Sequence, residues 1–323
     1  MQISGIKRLF SYKLKEEPTY WLTRFVLLRF LGFIYFFAFL SLATQVTPLI
    51  GENGLLPAKN FLSAFNFNNK FDAFINLPTI FWFYISDTFL LYSAWLGVAL
   101  SFIVLIGFAN VPIMLLLWII YMSFVHIGQI FYGYGWEIQL IETGFLAMFL
   151  CPLFDPRPFS KFAPPKQVIW LFRWLAFRIY LGAGLIKIRG DECWRNLTCL
   201  YHHYETQPIP NPLSPYFHFM PKWFHKLGVL WNHFAELIVP FFVFYPKFLR
   251  HIAGILLISF QFILILSGNL SFLNWLTILP AIACFDDSFF RKIMPRWIIQ
   301  KAEYSQKNQK IYRLQPYVTW ALV

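Results

Sequence analysis

Chemistry-bearing side chains crowd into one stretch of this sequence, from about Ile188 to Asn232. Cys193 and Cys199 flank Trp-Arg-Asn-Leu-Thr, a gap short enough for a disulfide to close; two unpaired thiols in a packed loop are the other reading. The Cys-x-x-Cys spacing of a zinc site is absent. Five of the seven histidines, His202, His203, His218, His225 and His233, lie in or beside the same stretch. Imidazoles serve metal binding and acid–base work. No pair of them shares a helix face with a carboxylate, however, so ordinary hydrogen bonding near a membrane interface is the expectation. Lys187 precedes the stretch, at the end of an apolar run through Gly182-Ala183-Gly184, small residues that permit close helix approach. A lysine stripped of water serves as a base or nucleophile. Glu142 and Glu236 also fall within apolar runs, as do Arg29 and Arg178, with Glu137 at a helix entrance. Ionisable groups at membrane depth are costly and mark function unless they pair. Here Arg29, Arg178 and Lys187 each have Glu142 or Glu236 as a prospective partner inside a bundle.

The elements that must position these groups are membrane helices. The 323 residues are 58% hydrophobic and 13% charged, with 40 Phe and 13 Trp, and the mean hydropathy is +0.55. Too few polar residues exist to cover a soluble domain of this size, and the aromatics suit a lipid-facing surface with interfacial belts. The net charge of +12 sits in short stretches between apolar runs, without a glycine-aromatic nucleic-acid motif, so nucleic acid is excluded as a partner. No cleavable signal peptide is expected: the first apolar run begins near Trp21, lacks a small-residue cleavage site and is followed by further spans.

A spanning helix needs about 17–25 mostly apolar residues. Eight runs qualify in full or in part: Phe25–Ala43, Thr88–Phe108, Pro112–Phe131, Ile138–Leu150, Val168–Ile186, His233–Tyr245, Phe248–Leu266 and Phe272–Cys284. A ninth begins at Val318, and the sequence stops at Val323 inside it. The expected fold is therefore all-α, a polytopic transmembrane bundle of about eight spanning or half-spanning helices with two long non-cytoplasmic loops. With the N-terminus cytoplasmic and the spans alternating, most of the 27 basic residues fall in the inner segments, as the positive-inside rule requires.

That register leaves two sizeable loops outside, about Gln45–Leu77 and Ile188–Asn232, where a rigid scaffold concentrates function. In the second, Cys193 and Cys199 would pin the chain, and Gly190, Pro208, Pro210 and Pro212 would shape it. Arg189, Asp191, Trp194, Tyr204, Glu205, Gln207, Asn211, Asn232 and His233 are the candidates for holding the loop or meeting a partner, with Glu205, Gln207 and Asn211 offering hydrogen bonds to a partner or to neighbouring loops. Cys151 and Cys284 fall near the cytoplasmic boundary as small apolar fillers. Asn196-Leu197-Thr198 and Asn269-Leu270-Ser271 match the glycosylation sequon on the outer side.

Several long motifs resemble the lipase maturation factor family. They are Gly182 through Asp191, Cys193-Trp194-Arg195, Leu197-Thr198-Cys199, Tyr204 through Pro212 and Asn232-His233-Phe234. Gly51 through Pro57 and Leu266 through Trp275 also belong to the resemblance, which covers nearly the whole chain. It implies a multi-pass protein of the endoplasmic reticulum membrane that assists folding, assembly and export of secreted lipases such as lipoprotein lipase. Its partners would be membrane lipids and that secreted client, and no cofactor is expected. Bacterial relatives would place the protein in the cytoplasmic membrane. Family members continue into a soluble lumenal C-terminal domain, so residues 1–323 are expected to be a single membrane domain cut before it. The core is also distantly similar to vitamin K-dependent gamma-carboxylase, whose catalytic base follows a small-residue helix. Lys187 matches that base by its Gly-Leu-Ile-Lys context. The alternative reading is therefore an enzyme with Lys187 as base near Glu137, Glu142 or Glu236, at the wall of a cavity open to a lipid-soluble cofactor.

Overall fold

A computed structural model describes residues 18–207 and 209–310. Among the described residues nine helices carry the architecture: α1 Trp21–Ile50, α2 Asp87–Ile106, α3 Val111–Ile127, α4 Gly135–Leu150, α5 Lys166–Gly190, α6 Lys222–His233, α7 Lys247–Ser267, α8 Leu273–Ile282 and α9 Arg296–Lys307. Among the described residues, β structure amounts to one isolated bridge, Phe162 with Lys310. By length and composition α1, α2, α5, α7 and the segment Lys222–Phe244 suffice to cross a membrane; α3 and α8 are shorter apolar helices. All eight apolar runs read from the sequence are helical, five of them within segments long enough to span. Pro208 and the run from Val318 lie outside the described residues.

Local sequence accounts for the helix starts. Pro165, Pro221, Pro246 and Pro295 stand immediately before α5, α6, α7 and α9; proline fixes φ and forgoes an N–H, so it suits a helix beginning better than an interior, Pro48 near the end of α1 and Pro280 in α8 being the interior cases. Ser86 and Asn110 cap α2 and α3 with side-chain oxygens on Phe89 and Ile113 N–H groups. α1 has no local cap at Tyr20.

The ends of several spans differ from the hydropathy reading. α1 runs on to Ile50, through Thr44, Gln45 and Thr47, and α5 runs on to Gly190. α6 starts at Lys222, inside what the sequence suggests is loop. Hydropathy marks the lipid-buried part of a helix, whereas backbone hydrogen bonding continues past it. The outer loops therefore begin later, at Gly51 and at Asp191. They carry short helices at Ala58–Ser63, Lys70–Asn76, Glu192–Arg195, Leu200–His203 and Ser214–His218.

α8 is the buried axis. Residues from Leu276 through Ile282 are buried, and the helix packs on α1, α4, α5 and α7. α1 and α2 pair most extensively, because Gly32 lets the backbones meet: a β-carbon there would stand 2.6 Å from the Leu105 nitrogen.

The chain beyond α8 fastens one end of the bundle. Three successive carbonyls accept from three different helices: Ala283 from Arg173 Nε of α5 at 2.8 Å, Cys284 from Arg250 Nε of α7 at 2.8 Å, and Phe285 from the Thr23 hydroxyl of α1 at 3.1 Å. Arg250 also donates to Asp286 at 2.9 Å. Burial alone would raise the Asp286 carboxyl. Hydrogen bonds from His251 and Ser288, with the charges of His251 and Lys247, outweigh it and hold the group well below the carboxylate range. Asp287 supplies the missing cap of α1, accepting from the N–H groups of Leu22 (2.8 Å) and Trp21 (3.0 Å) and from the Thr19 hydroxyl (2.7 Å). Burial pushes its carboxyl up against the pull of those donors. Arg24 donates to the Phe162 and Ser160 carbonyls in the α4–α5 loop. Arg24, Arg173 and Arg250 are thus buried fasteners inside helices rather than loop charges.

Hydrogen bonds between connections respect the alternation of spans. The α2–α3 and α4–α5 connections meet at this basic end through Ala109 N–H to the Pro156 carbonyl. At the far end Gln129 donates to the Leu56 carbonyl and Asn211 to the Ile265 carbonyl. Cys151 and Cys284 are free and buried, as fillers should be.

Candidate functional site

At the far end α5 leans on the segment after α6. Pro240 offers no N–H, and its ring would collide with the Glu236 carbonyl four residues earlier. The chain adopts a π-helical turn over Phe234–Ile238 and then a 3₁₀ turn over Val239–Phe244; such wide turns recur at functional positions. Gly184 lets α5 close on this turn, since a β-carbon there would lie 2.9 Å from Cβ of Glu236 and 2.7 Å from the Leu237 side chain. Gly182 has nothing within 4 Å of its virtual β-carbon. The expectation that both glycines mediate close approach holds for Gly184 alone.

The π turn aims Glu236 at Lys187. Their side chains form an ion pair, 4% exposed on the glutamate and 25% on the lysine. Lys187 Nζ also donates to Asn232 Oδ1 at 3.0 Å, and Asn232 Nδ2 donates to the other Glu236 oxygen at 3.0 Å. The ammonium lies 5.2 Å from the Trp194 ring centroid, within cation–π range. His233 Nε2 holds Trp194 in place by donating to its carbonyl at 3.0 Å. Five expected residues, Lys187, Asn232, Glu236, Trp194 and His233, therefore form one closed cluster. Burial, with the Lys187 charge adding, holds the nearby His203 imidazolium below its ordinary value.

The other candidates lie elsewhere. Glu142 pairs with Arg178 on the outer surface of α4 and α5. Glu137 accepts from the Tyr121 hydroxyl. Arg29 pairs with neither expected glutamate: its guanidinium lies over the Phe25 ring, 3.3 Å from the centroid. Of the three carboxylates considered for Lys187, only Glu236 reaches it. Neither the 730 Å³ nor the 970 Å³ cavity has Lys187 in its wall. Both oxygens of Glu236 and the lysine ammonium are engaged with one another or with Asn232, so the arrangement clamps α5 to α6 and presents no free base.

Beyond the clamp, Asp191 accepts from Cys193 N–H at 2.8 Å and caps the turn Glu192–Arg195. Cys193 and Cys199 are disulfide-bonded, with their α-carbons 4.7 Å apart. Arg189 is exposed on the last turn of α5. Tyr204 is buried against Phe217, ring centroids 5.8 Å apart. Glu205 accepts from His202 Nδ1 at 2.9 Å, and that hydrogen bond holds its carboxyl below the ordinary value. Gln207, Asn211 and Ser214 donate to the Ser267, Ile265 and Ser267 carbonyls at 3.4, 2.9 and 2.9 Å. Those carbonyls end α7 and lack intrahelical partners. Gln207 and Asn211, expected to offer hydrogen bonds to a partner or to neighbouring loops, brace the loop on α7. His225 donates to the Met220 carbonyl, and among the described residues no metal-holding group of His, Cys, Asp or Glu assembles. Trp223, Leu227 and Leu230 leave an exposed apolar strip running down α6, with exposed Phe219 just before it, placed to meet lipid and its interface.

The sequence foresaw the clamp's members, with Glu236 as one of two prospective partners of Lys187, but not the Ala283–Asp287 fastening, whose partners lie 34 to 268 residues away in the chain. The signal that was available is Pro240, four residues after a glutamate in an apolar run.

The family described as lipase maturation factor transmembrane domain matches residues 22–292. Lipase maturation factor 1 of Bos taurus is 51% identical over 286 residues, covering 86% of this chain and 51% of the relative. The Mus musculus protein of the same name is 52% identical over 309 residues, covering 92% and 54%. Lipase maturation factor 2 of Xenopus laevis is 35% identical over 273 residues, covering 80% and 38%. The chain spans about half the length of the first of these relatives. No solved structure matches it.

Proposed function

The chain belongs to the lipase maturation factor family, and from that premise we propose that it is the membrane core of a factor assisting folding and export of secreted lipases. The reading rests on 51% and 52% identity to proteins named lipase maturation factor 1. In it the basic end faces the cytosol and the clamp end faces the lumen of the endoplasmic reticulum. The positive-inside rule supports that orientation, and so does the Cys193–Cys199 bridge at the clamp end, because disulfides persist in oxidising compartments. The clamp and the bracing on α7 hold the loop from Asp191 to Pro221 as a rigid lumenal platform for the client or for the rest of the protein.

The test is secretion. A cell line lacking its own factor is given the full-length protein, unaltered or with Cys193→Ser and Cys199→Ser together, and secreted lipase activity is read against total lipase protein. The double variant is expected to lower that ratio and to expose the loop to protease. Unchanged secretion with an equally protease-resistant loop overturns the platform, and no secretion from the unaltered protein overturns the function.

A further inference from the structure

The 970 Å³ cavity lies away from the clamp, bounded by α1, the start of α4, the α7–α8 turn and α8. Its volume is that of a ligand pocket, about 300–1,000 Å³. Along α1 the lining runs from Phe33 to Leu49, ~24 Å at the helical rise, so the space is long and narrow. Aromatic rings dominate the wall, with Phe37, Trp136 and Trp275 among them. The polar side chains at its outer end are Gln45, Asn269 and Ser271, level with the ends of the spans. Glu137 is the one charged residue in the lining. It is 5% exposed and takes the Tyr121 hydroxyl on Oε2.

We infer that this cavity binds an uncharged, hydroxyl-headed single-chain lipid, with Glu137 as the anchor for the head and the aromatic wall as the bed for the chain. An elongated apolar space flanked by membrane-facing residues such as Phe37 suits an acyl chain. The sign of the lone charge then selects the head. A fatty-acid carboxylate or a phosphate would meet a buried carboxylate with no lysine or arginine in the wall to balance it. A full cation would find one carboxylate, already shared with Tyr121. A hydroxyl donates to the carboxylate and adds no charge.

The probe is a diazirine-bearing monoacylglycerol, compared with the fatty acid of the same chain length, on the full chain in phosphatidylcholine nanodiscs. The monoacylglycerol is expected to crosslink to peptides carrying Phe33–Leu49 and Asn269–Trp275, and to outcompete the acid by about tenfold, as a hydrogen bond to a charged group allows. Ser41→Trp, which plugs the mouth from the exposed side of α1, is expected to abolish the crosslink. Glu137→Gln is expected to keep wall labelling while erasing the preference for the glycerol head. Equal labelling by both probes, labelling spread over the lipid-facing helices, or full labelling of Ser41→Trp overturns the assignment. Should Glu137→Gln fail to fold, the two-probe comparison on the unaltered chain and Ser41→Trp decide.

Discussion

Replacing Lys187 by methionine separates a structural clamp from a catalytic base. The substitution keeps the length of the side chain and removes the ammonium, leaving the Glu236 carboxylate, 4% exposed, with Asn232 as its remaining donor. Breaking a buried ion pair from one side costs about 3–5 kcal/mol. A quarter of the Lys187 side chain meets solvent, so the low end, ~3 kcal/mol, is expected. At no more than about 2–4 °C per kcal/mol, the figure for domains somewhat smaller than this one, thermal unfolding in detergent should begin up to roughly 6–12 °C lower. Lys187→Met with Glu236→Gln removes the stranded charge yet keeps an oxygen for Asn232, and should recover most of the loss. Lipase secretion should follow the same order, falling in the single variant and returning in the double. A single variant within ~1 kcal/mol of the unaltered protein, or a double variant no better than the single, refutes the clamp. Full stability with lost activity that Glu236→Gln fails to restore is the signature of a base.

The basic end yields a cap prediction. Asp287→Ala removes the acceptor for Trp21, Leu22 and Thr19 and should cost about 2 kcal/mol, at the top of the range for a helix cap, read as a lower melting point and faster proteolysis near Tyr20. Asp286→Asn should cost ~3 kcal/mol at neutral pH, because it strands Arg250. Because the folded Asp286 carboxyl is held low, its contribution is complete above the unfolded value of about 3.9 and disappears as pH falls below that. The melting-point gap between the variant and the unaltered protein should therefore shrink below about pH 4, and a constant gap contradicts the assignment. Gly184→Leu should cost about 1–3 kcal/mol by overpacking against Glu236 and Leu237, whereas Gly182→Leu, with open space beside it, should change the melting point little.

The spans were legible in the sequence because lipid imposes a hydropathy rule that needs no tertiary knowledge. The alternation of basic segments was legible for the same reason, and hydrogen bonds between like-sided connections agree with it. Roles set by distant partners were not. Arg173 and Arg250 read as topological charges, yet each is aimed at a carbonyl beyond α8, 110 and 34 residues on. Asn211 and Gln207 read as donors to a partner or a neighbouring loop, because loop polarity does not say that the end of α7 needs donors. Lys187 and Glu236 were recognisable as an unusual pair of buried charges. The π turn that joins them depends on Pro240, whose effect is felt one turn back in the chain.

The placement of Asp287 has a consequence for biosynthesis. The acceptor that completes the first helix is made 265 residues after Leu22, which at about 5–20 residues per second is ~13–50 s of translation. Through that interval α1 sits in the bilayer with bare N–H groups at its start, and α5 and α7 wait likewise for the carbonyls at 283 and 284. A nascent chain arrested before this point would hold every earlier helix and still lack the piece that ties three of them together, leaving it visible to quality control as unfinished.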